Sequence, residues 1–229
     1  MSSPMPPLPH PAVEVLYEDN HLLALNKPAG LLTQPSGQEG DSLEDRAKEY
    51  LRSTRNKPGN VFLHAVHRLD RVASGIALFA STGKALSRMN EQMRRRVIGR
   101  TYHAVVSGDL PDAQGELVHF LRHSRFRAVL SDGNDPGSRR AVLRYRVIAR
   151  AGGLCLLEVD LETGRYHQIR AQLAASGCPI VGDSAYGSGA VYPGDGIALH
   201  HRRMEFLHPV GGAPVSIQAG YPPGWPLFP

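Results

Sequence analysis

Cysteine, tryptophan and long apolar runs are scarce in this sequence of 229 residues, which has two cysteines and one tryptophan. Cys155 and Cys178 form no CxxC pair, which excludes a disulfide framework and indicates free thiols in a reducing compartment. No apolar run approaches the roughly 18 residues that a transmembrane helix needs, and the N-terminus lacks the segments of a signal peptide. We therefore expect a soluble, cytoplasmic protein without membrane contact.

Lysine is also scarce, with 4 residues against 22 arginines, and the arginines are clustered. Residues 88–150 contain 13 Arg, no Lys and 6 acidic residues, a local charge of +7; since the whole chain carries +5, the rest carries −2. An arginine-favouring codon bias explains the ratio of Arg to Lys but not the clustering. One-sided positive charge indicates a polyanionic partner, and the planar guanidinium suits phosphates and bases.

Several catalytic and metal-binding motifs are missing. The sequence has no HExxH, no GxxxxGK[ST] phosphate loop and no GxSxG nucleophile elbow. Its eleven histidines include His200 and His201, which as neighbours on a strand would point to opposite faces and make poor joint ligands. We therefore expect no metal site, and a hydrolase built on the histidines is disfavoured.

The pattern along the chain predicts a short tail and one domain. Residues 1–12 include five prolines and are predicted to be a disordered tail, and residues 13–229 are predicted to form a single domain. Helices and strands alternate irregularly, which favours an α+β fold. Helices are predicted within residues 41–53, 81–96 and 164–177, and strands within residues 13–30, 61–66, 75–80, 101–108, 140–149, 154–163, 197–209 and 215–219.

Asp70 lies in the stretch HRLDRVASG (67–75), between two predicted strands. One interpretation is a surface ion pair with Arg68 or Arg71, which would contribute little to stability. The other is a carboxylate held at the mouth of a strand and kept ionised by a cation, where it could act as a nucleophile or a base. The residue pattern alone leaves both interpretations open.

A second polar stretch, GRYHQIR (164–170), combines a turn with the start of a predicted helix. His167 and Arg170 lie three residues apart and would share one face of the helix, from which Arg170 could reach a carboxylate. The helix N-terminus itself favours anions. An ordinary amphipathic helix with an exposed arginine explains the pattern equally well.

Five segments, in this order, resemble the motifs of the RluA family of RNA pseudouridine synthases. They are NKPAGLLTQPSG (26–37), HRLDRVASGIALFA (67–80), TYHAVVSG (101–108), GRYHQIRAQLAASGCPIVGDSAYG (164–187) and ALHHRRMEFLHP (198–209). The resemblance extends over about residues 13–219. The HRLD…SG and GR.HQIR motifs are highly specific when they occur in this order.

The resemblance implies an enzyme that isomerises specific uridines of a structured RNA to pseudouridine without a metal, nucleotide or other cofactor. It implies an α+β fold with a long, curved, mostly antiparallel sheet, flanking helices and a central active-site cleft. Asp70 matches the family's catalytic aspartate, Tyr102 the tyrosine that packs against the target base, and Arg170 the basic residue paired with the aspartate. We hypothesise that Arg170 holds Asp70 ionised.

The same motifs imply how the substrate is held. Arg68 matches the arginine that helps to flip the target uridine or fills its place. The residues expected to bind the substrate are His67, Arg68, Arg165, His167, Gln168 and Leu199. The expected partner is ribosomal or transfer RNA, with no obligate protein partner, and the protein is expected to be a monomer.

Four positions depart from the family pattern. Ala73 stands where Thr is usual, Tyr166 replaces a small hydroxyl residue, and Gln172 and Cys178 replace frequent histidines. The catalytic residues are unaffected, so catalysis is still expected, whereas Tyr166 and Gln172 leave the identity of the RNA open.

RNA affinity is expected to come from the catalytic domain, because no separate N-terminal RNA-binding domain is expected. The candidate surface is the arginine-rich span, in particular Arg94, Arg95, Arg96 and Arg100, whose charges would also complement a helix dipole. The alternative function is a non-catalytic RNA-binding or RNA-chaperone protein on the same fold. The intact set of catalytic residues disfavours it.

Overall fold

The computed structural model describes residues 13–37, 41–55, 59–226 and 228, so the tail predicted for residues 1–12 lies outside the described residues. Within these ranges the chain forms eleven β-strands, three α-helices and one short 3-10 helix. The strands are β1 Glu14–Glu18, β2 Leu22–Lys27, β3 His64–Ala65, β4 Ser74–Ala80, β5 Gly99–Ser107, β6 Gln114–Ser124, β7 Arg127–Ser131, β8 Arg139–Ala151, β9 Leu154–Leu161, β10 Leu199–Leu207 and β11 Pro214–Gln218. The helices are α1 Leu43–Arg55, α2 Gly83–Arg94 and α3 Gln168–Ala175, and the 3-10 helix is Ser184–Tyr186.

All eleven strands belong to one sheet, with the order β1-β2-β4-β10-β5-β9-β8-β6-β7. Strand β11 pairs with β10, and β3 pairs with β4. Every pairing is antiparallel except that of β4 with β10, where His200 lies opposite Ser74 and His201 opposite Gly75. The predicted α+β fold with a mostly antiparallel sheet is therefore confirmed.

Strands β2 and β4 are buried on both faces, which explains their almost continuous apolar sequences. Because side chains alternate along a strand, Leu78 of β4 packs with Met89 of α2 on one face, while Phe79 packs with Leu51 of α1 on the other. Helices on both faces therefore hold β4, and with it the end of the segment between β3 and β4.

The helix predictions agree with the structure at their starts. Thr82 caps α2 by accepting a hydrogen bond from the amide of Ala85, and Ser42 accepts one from the amide of Asp45 in the first turn of α1. Helix α3 is followed by Gly177 at φ 77°, the left-handed conformation that commonly ends a helix.

The strand predictions fail at two places. The strand predicted over 61–66 is reduced to His64–Ala65, because β3 and β10 share the same edge of β4 and the chain must leave it before the HRLD stretch. Strands β6 and β7 form an antiparallel hairpin from residues for which no strand was predicted.

Candidate active site

The HRLD stretch is a loop that joins β3 to β4 across the middle of the sheet, and it carries Asp70. A backbone hydrogen bond from Ala73 to the carbonyl of Asp70 closes the turn. The loop then enters β4 through Gly75 at φ 108°, where an added Cβ would lie 2.4 Å from the backbone oxygen of His201. Only glycine fits this close approach of β10, so the SG of the motif fixes where the loop meets the sheet.

A second loop, residues 27–33, holds Asp70 from both sides. The Thr33 hydroxyl donates to the carbonyl of Leu69 and accepts from its amide, both at 3.1 Å. On the other side the carbonyl of Arg71 accepts from the amide of Gly30 at 2.8 Å. The backbone on each side of Asp70 is therefore held by the loop of residues 27–33.

Lys27 is fully buried beneath this loop. Its ammonium donates to the carbonyls of Pro28, Leu31 and Arg71, at 2.9, 2.8 and 3.3 Å. Burial lowers the pKa of Lys27 to about 7, and the negative charge of Asp70 opposes that shift. The lysine thus fastens the two loops together at the residue that follows Asp70.

Asp70 is linked to a buried ion pair on the far side of the cleft. Arg170 donates to one oxygen of Asp70, Oδ2, at 3.2 Å, and it donates to both oxygens of Asp183 at 2.7 and 2.9 Å. The side chain of Asp183 is 1% exposed, that of Arg170 6% and that of Asp70 23%. Asp183 therefore fixes the guanidinium from behind, and Asp70 is the most exposed of the three.

These contacts contradict the surface interpretation of each motif, whereas the catalytic role of the residues stays a prediction. Helix α3 is buried along its first six residues, so an exposed arginine on an amphipathic helix is wrong. Burial by itself would lower the pKa of Arg170, but the carboxylates of Asp183 and Asp70 raise it. Among the described residues, the ion pair of Asp70 is with Arg170, and a pair with Arg68 or Arg71 is not formed. The His167 ring lies 3.8 Å from the carboxylate, and burial lowers the pKa of this histidine although the charge of Asp70 opposes the shift.

Three rings form the other wall of the site. Tyr102 of β5 lies opposite His201 of β10 in the sheet, and their rings stack with centroids 4.4 Å apart. The ring of His67 meets His201 edge-on at 5.3 Å. His201 points to this face and His200 to the opposite one, where it contacts Ser74, as expected for neighbours on a strand.

The stacked rings are electrically neutral near pH 7. Burial lowers the pKa of His67 to about 3, with Arg100 adding to the shift, and it lowers the pKa of His201 as well. Burial also raises the pKa of Tyr102 to about 12, although Arg100 opposes the shift. This wall therefore offers ring faces and a protonated phenol, and the carboxyl group of Asp70 lies in the same cleft.

All nine residues that the sequence singled out line one cleft of about 740 Å³. They are His67, Arg68, Asp70, Tyr102, Arg165, His167, Gln168, Arg170 and Leu199. Gln168 has an internal role, because its amide oxygen accepts from Thr163 and from the amide of Arg165, and its nitrogen donates to the carbonyl of Val142. Contacts of these residues with a substrate stay predictions.

Sequence reasoning missed the residues that hold the site from behind, namely Lys27, Thr33 and Asp183. Asp183 lies in the GDSAYG segment directly after Gly182, whose φ of 86° requires glycine. The position of a carboxylate next to such a turn was the signal from which Asp183 could have been identified in the sequence. Its pairing with Arg170 depends on the tertiary fold.

The arginine-rich span divides into paired and unpaired residues. Arg94 and Arg96 form ion pairs with Glu91 and Glu162, so half of the four-residue cluster that was expected to bind RNA is partly neutralised. Within the described part of the chain, arginines of this span without a carboxylate partner include Arg95, Arg100, Arg125, Arg127, Arg139 and Arg140. The unpaired charge is therefore more abundant on the β6–β7 hairpin and β8 than at the end of α2.

Two features are absent from the described residues. No group of three or more His, Cys, Asp and Glu side chains is arranged to hold a metal ion in this part of the chain. No helix in the same ranges is long and apolar enough to cross a membrane.

Comparison with known proteins identifies the family. The family model described as RNA pseudouridylate synthase matches residues 21–175. Ribosomal large subunit pseudouridine synthase D of Xanthomonas campestris is 37% identical, with 92% of this chain and 66% of the relative covered. An uncharacterized RNA pseudouridine synthase of Bacillus subtilis, YhcT, is 34% identical over 92% of this chain and 69% of its own length. This chain therefore spans about two thirds of these two relatives.

A relative of matching length and a solved structure complete the comparison. tRNA pseudouridine synthase C of Vibrio cholerae is 30% identical, with 93% of both chains covered. The structure of human RNA pseudouridylate synthase domain containing 4 superposes with a TM-score of 0.75, covers 92% of this chain and 89% of its own, and has the same fold at 20% identity. With the matched motifs in one cleft, these findings show that the chain belongs to the RNA pseudouridylate synthase family and isomerises uridine in RNA to pseudouridine.

Proposed function

We propose that this chain isomerises a uridine that has left the base stack of a structured ribosomal or transfer RNA, with Asp70 as the catalytic carboxylate. The observation that carries the proposal is the placement of Asp70 in the cleft, where Arg170 binds one of its oxygens at 3.2 Å. The reaction breaks the bond from C1′ to N1 and forms one from C1′ to C5; a proton leaves C5 and N1 takes up a proton, so that the atoms of the uridine are conserved. A duplex covers these atoms, so the base must be flipped out first.

The two oxygens of Asp70 have different surroundings. Oδ2 accepts the hydrogen bond from Arg170, whereas Oδ1 has no hydrogen-bond donor among the described residues. Oδ1 is therefore the atom available to the substrate. It can attack the sugar or the base, or remove a sugar proton, and each route uses the same ionised carboxylate held by the same arginine.

The wall opposite Asp70 suits a flipped base. Tyr102 is backed by His201 and therefore presents a fixed ring, and Leu199 lies beside it in the cleft. We propose that the uracil packs against Tyr102 and Leu199, with His67 supporting the wall from behind. The raised pKa of Tyr102 keeps its hydroxyl protonated, so the ring and a neutral hydroxyl act here.

The basic residues of the cleft complete the proposal. Arg68 is exposed at the cleft and forms no side-chain ion pair within the described ranges, which leaves it available to fill the place of the flipped base or to bind a phosphate. Arg165 and His167 lie on the segment before α3 and are proposed to contact the RNA, with Gln168 fixing that segment.

Further properties follow from this function. We propose that residues 13–229 act as one catalytic domain, since one continuous sheet joins their strands. We also propose a cytoplasmic monomer that needs no obligate protein partner, because the residues named above lie in a single chain. The names of the relatives include both kinds of RNA: one is a ribosomal large subunit pseudouridine synthase and another is a tRNA pseudouridine synthase.

The test is to map pseudouridine in total RNA from cells that make the wild-type protein or Asp70→Ala. We expect at least one position, in ribosomal or transfer RNA, to lose pseudouridine in the mutant cells. Purified protein should then modify the corresponding transcript. An unchanged map together with no conversion of transcripts by the purified wild-type protein would contradict the proposal and favour a non-catalytic RNA-binding protein.

A further inference from the structure

The rim of the cleft carries a group of aromatic rings centred on Tyr166, a residue to which the proposed reaction assigns no role. Tyr166 directly precedes His167, and their rings stack with centroids 3.8 Å apart and planes 18° apart. The ring of His123, on strand β6, meets Tyr166 edge-on at 4.7 Å. Tyr166 is nevertheless 44% exposed, so part of a supported aromatic ring faces solvent at the cleft.

This group is joined to the catalytic centre. His167, which backs the Tyr166 ring, lies 3.8 Å from Oδ2 of Asp70 through its Nε2 atom. His167 adopts φ 51°, a backbone conformation that is costly outside glycine, so its position is set by its surroundings. A base stacked on Tyr166 would therefore lie one ring away from the residue beside Asp70.

The β6–β7 hairpin braces the rim from outside. The Tyr166 hydroxyl donates to the carbonyl of Phe126 at 3.2 Å, and the Tyr186 hydroxyl accepts from the amide of Ala128 at 2.8 Å. Tyr186 also lies against the catalytic centre, since the Arg170 guanidinium sits 4.9 Å from its ring centroid. The hairpin tip is thus tied to the cleft through two tyrosines.

The exposed tip itself has the composition of a single-strand binding element. Phe126 is 88% exposed and lies between Arg125 and Arg127, neither of which forms an ion pair in the described part of the chain. Aromatic rings that stack on bases, next to cations that follow the phosphates, are the common means of holding unpaired nucleotides. A large exposed apolar ring between two cations has no evident role in folding.

We propose that Tyr166 forms a second base-binding position, in which a nucleobase next to the target uridine stacks on its ring while Phe126 and its neighbouring arginines hold the same strand. This inference rests on the proposed function, because it places the target uridine at Asp70. In this proposal Tyr166 helps to select the RNA that binds, and the chemical step takes place at Asp70 in the centre of the cleft.

The experiment combines protein variants with altered RNA. The probe is a transcribed stem-loop carrying the uridine that depends on Asp70, or a uridine-rich loop if no such uridine is found, with an abasic nucleotide introduced in turn at each flanking position. The variants are Tyr166→Ala and Tyr166→Phe. The matched control is Phe62→Ala, because Phe62 is also 44% exposed and also meets a histidine edge-on, at 4.6 Å, but lies outside the cleft.

We expect Tyr166→Ala to raise KM and Kd about tenfold, the usual effect of losing one stacked base, with kcat changed by less than about twofold. Tyr166→Phe should stay within about threefold of wild type, since stacking needs the ring. An abasic nucleotide at one flanking position should weaken RNA binding by the wild-type protein about tenfold, and it should not change RNA binding by Tyr166→Ala. Three results would overturn the proposal. They are effects of Tyr166→Ala and of the abasic RNA on Kd that multiply when combined, a loss in kcat alone, and a Kd of Tyr166→Ala equal to that of Phe62→Ala.

A fluorescent variant separates this inference from the proposed function. The sole tryptophan, Trp225, is 7% exposed, so Tyr166→Trp adds one accessible reporter. We expect RNA to quench it and the critical abasic RNA to quench it far less, whether or not the uridine is converted. Conversion of the intact RNA by wild type without such quenching would refute the second base position alone, and quenching without conversion would refute the proposed catalysis alone.

Discussion

The centre and the rim of the cleft are built in opposite ways. At the centre, Arg170 and Asp183 are almost completely buried and pair with each other, and Arg170 also donates a hydrogen bond to Asp70. At the rim, Tyr166 and Phe126 are exposed, and the arginines beside Phe126 lack carboxylate partners among the described residues. The centre is thus organised before any RNA arrives, whereas the rim has unused ring faces and unneutralised charge.

This difference separates two tasks. Chemistry needs one carboxylate fixed within a fraction of an ångström, and buried ion pairs with internal hydrogen bonds provide that precision. Selection of the RNA needs exposed surface and positive charge, whose binding partners are supplied by the RNA itself. Changes at the centre should therefore reduce stability and turnover, and changes at the rim should reduce affinity.

The largest effect on stability is expected from Asp183→Ala. The change leaves the buried guanidinium of Arg170 with Asp70 as its remaining carboxylate, so the free energy of unfolding should fall by about 3–5 kcal/mol. Urea unfolding measures this. The control is Asp109→Ala, which removes an exposed pair with Arg150 and should leave the free energy of unfolding almost unchanged. Equal losses in the two variants would contradict the central role of the buried pair.

A smaller effect is expected from Thr33→Val, which keeps the shape of the side chain and removes both hydrogen bonds to Leu69. The buried amide and carbonyl lose a partner, so stability should fall by about 1–3 kcal/mol. Because the loop then holds Asp70 less firmly, kcat should fall about tenfold with RNA affinity unchanged. Thr54→Val, on the exposed face of α1, should change neither quantity. A wild-type kcat in Thr33→Val would show that this clamp is dispensable.

The pH dependence of stability tests whether the His67 ring stays neutral in the folded protein. The pKa of His67 is lowered to about 3 in the folded chain, whereas an unfolded histidine titrates near 6.5. Between these values the unfolded state binds more protons, so stability falls as pH falls below about 6.5. His67→Gln should make this dependence shallower by about 1.4 kcal/mol per pH unit between about pH 5.5 and 4.5. An unchanged slope would mean that His67 takes up its proton in the folded state.

The smallest effect is expected at the rim. Replacing Arg125 and Arg127 by Gln should weaken RNA binding only a few-fold, and it should reduce the slope of log Kd against log salt by about 0.7 for each phosphate that is no longer neutralised. Stability should be unchanged. The matched control is Arg94→Gln with Arg146→Gln, since both arginines are already paired with glutamates. Equal slopes for the two double variants would remove the distinction between paired and unpaired arginines.

The sequence predicts the residues at the centre of the cleft better than the buried residues that hold them in place. Asp70 and Arg170, a hundred positions apart, were identified through their motifs, and the structure brings them within 3.2 Å. Asp183 and Lys27 were not identified, because an isolated acidic or basic residue in a glycine-rich segment does not show which partner it will meet after folding. Their function depends on burial, which no local pattern encodes.

The fold shows the same limit. Strand β4 was predicted because it is continuously apolar and flanked by a glycine, whereas β6 carries exposed side chains such as Val118 and Phe120 next to polar residues. An edge hairpin with little buried surface has a weak periodic signal. Tyr166 stood out only as a departure from the family pattern, and its position at the rim gives that departure a physical meaning.

The most direct test of the account is the single-turnover rate and the Kd of Asp70→Asn on the transcript that the wild-type protein modifies. Asparagine preserves the shape of the side chain, and Arg170 keeps its bidentate partner Asp183, so the fold and the rim should be intact. The account predicts a rate lower by about 10³-fold or more, with Kd within about threefold of wild type. A rate within about tenfold of wild type, with the uridine still converted, would show that the carboxylate of Asp70 does not carry the reaction.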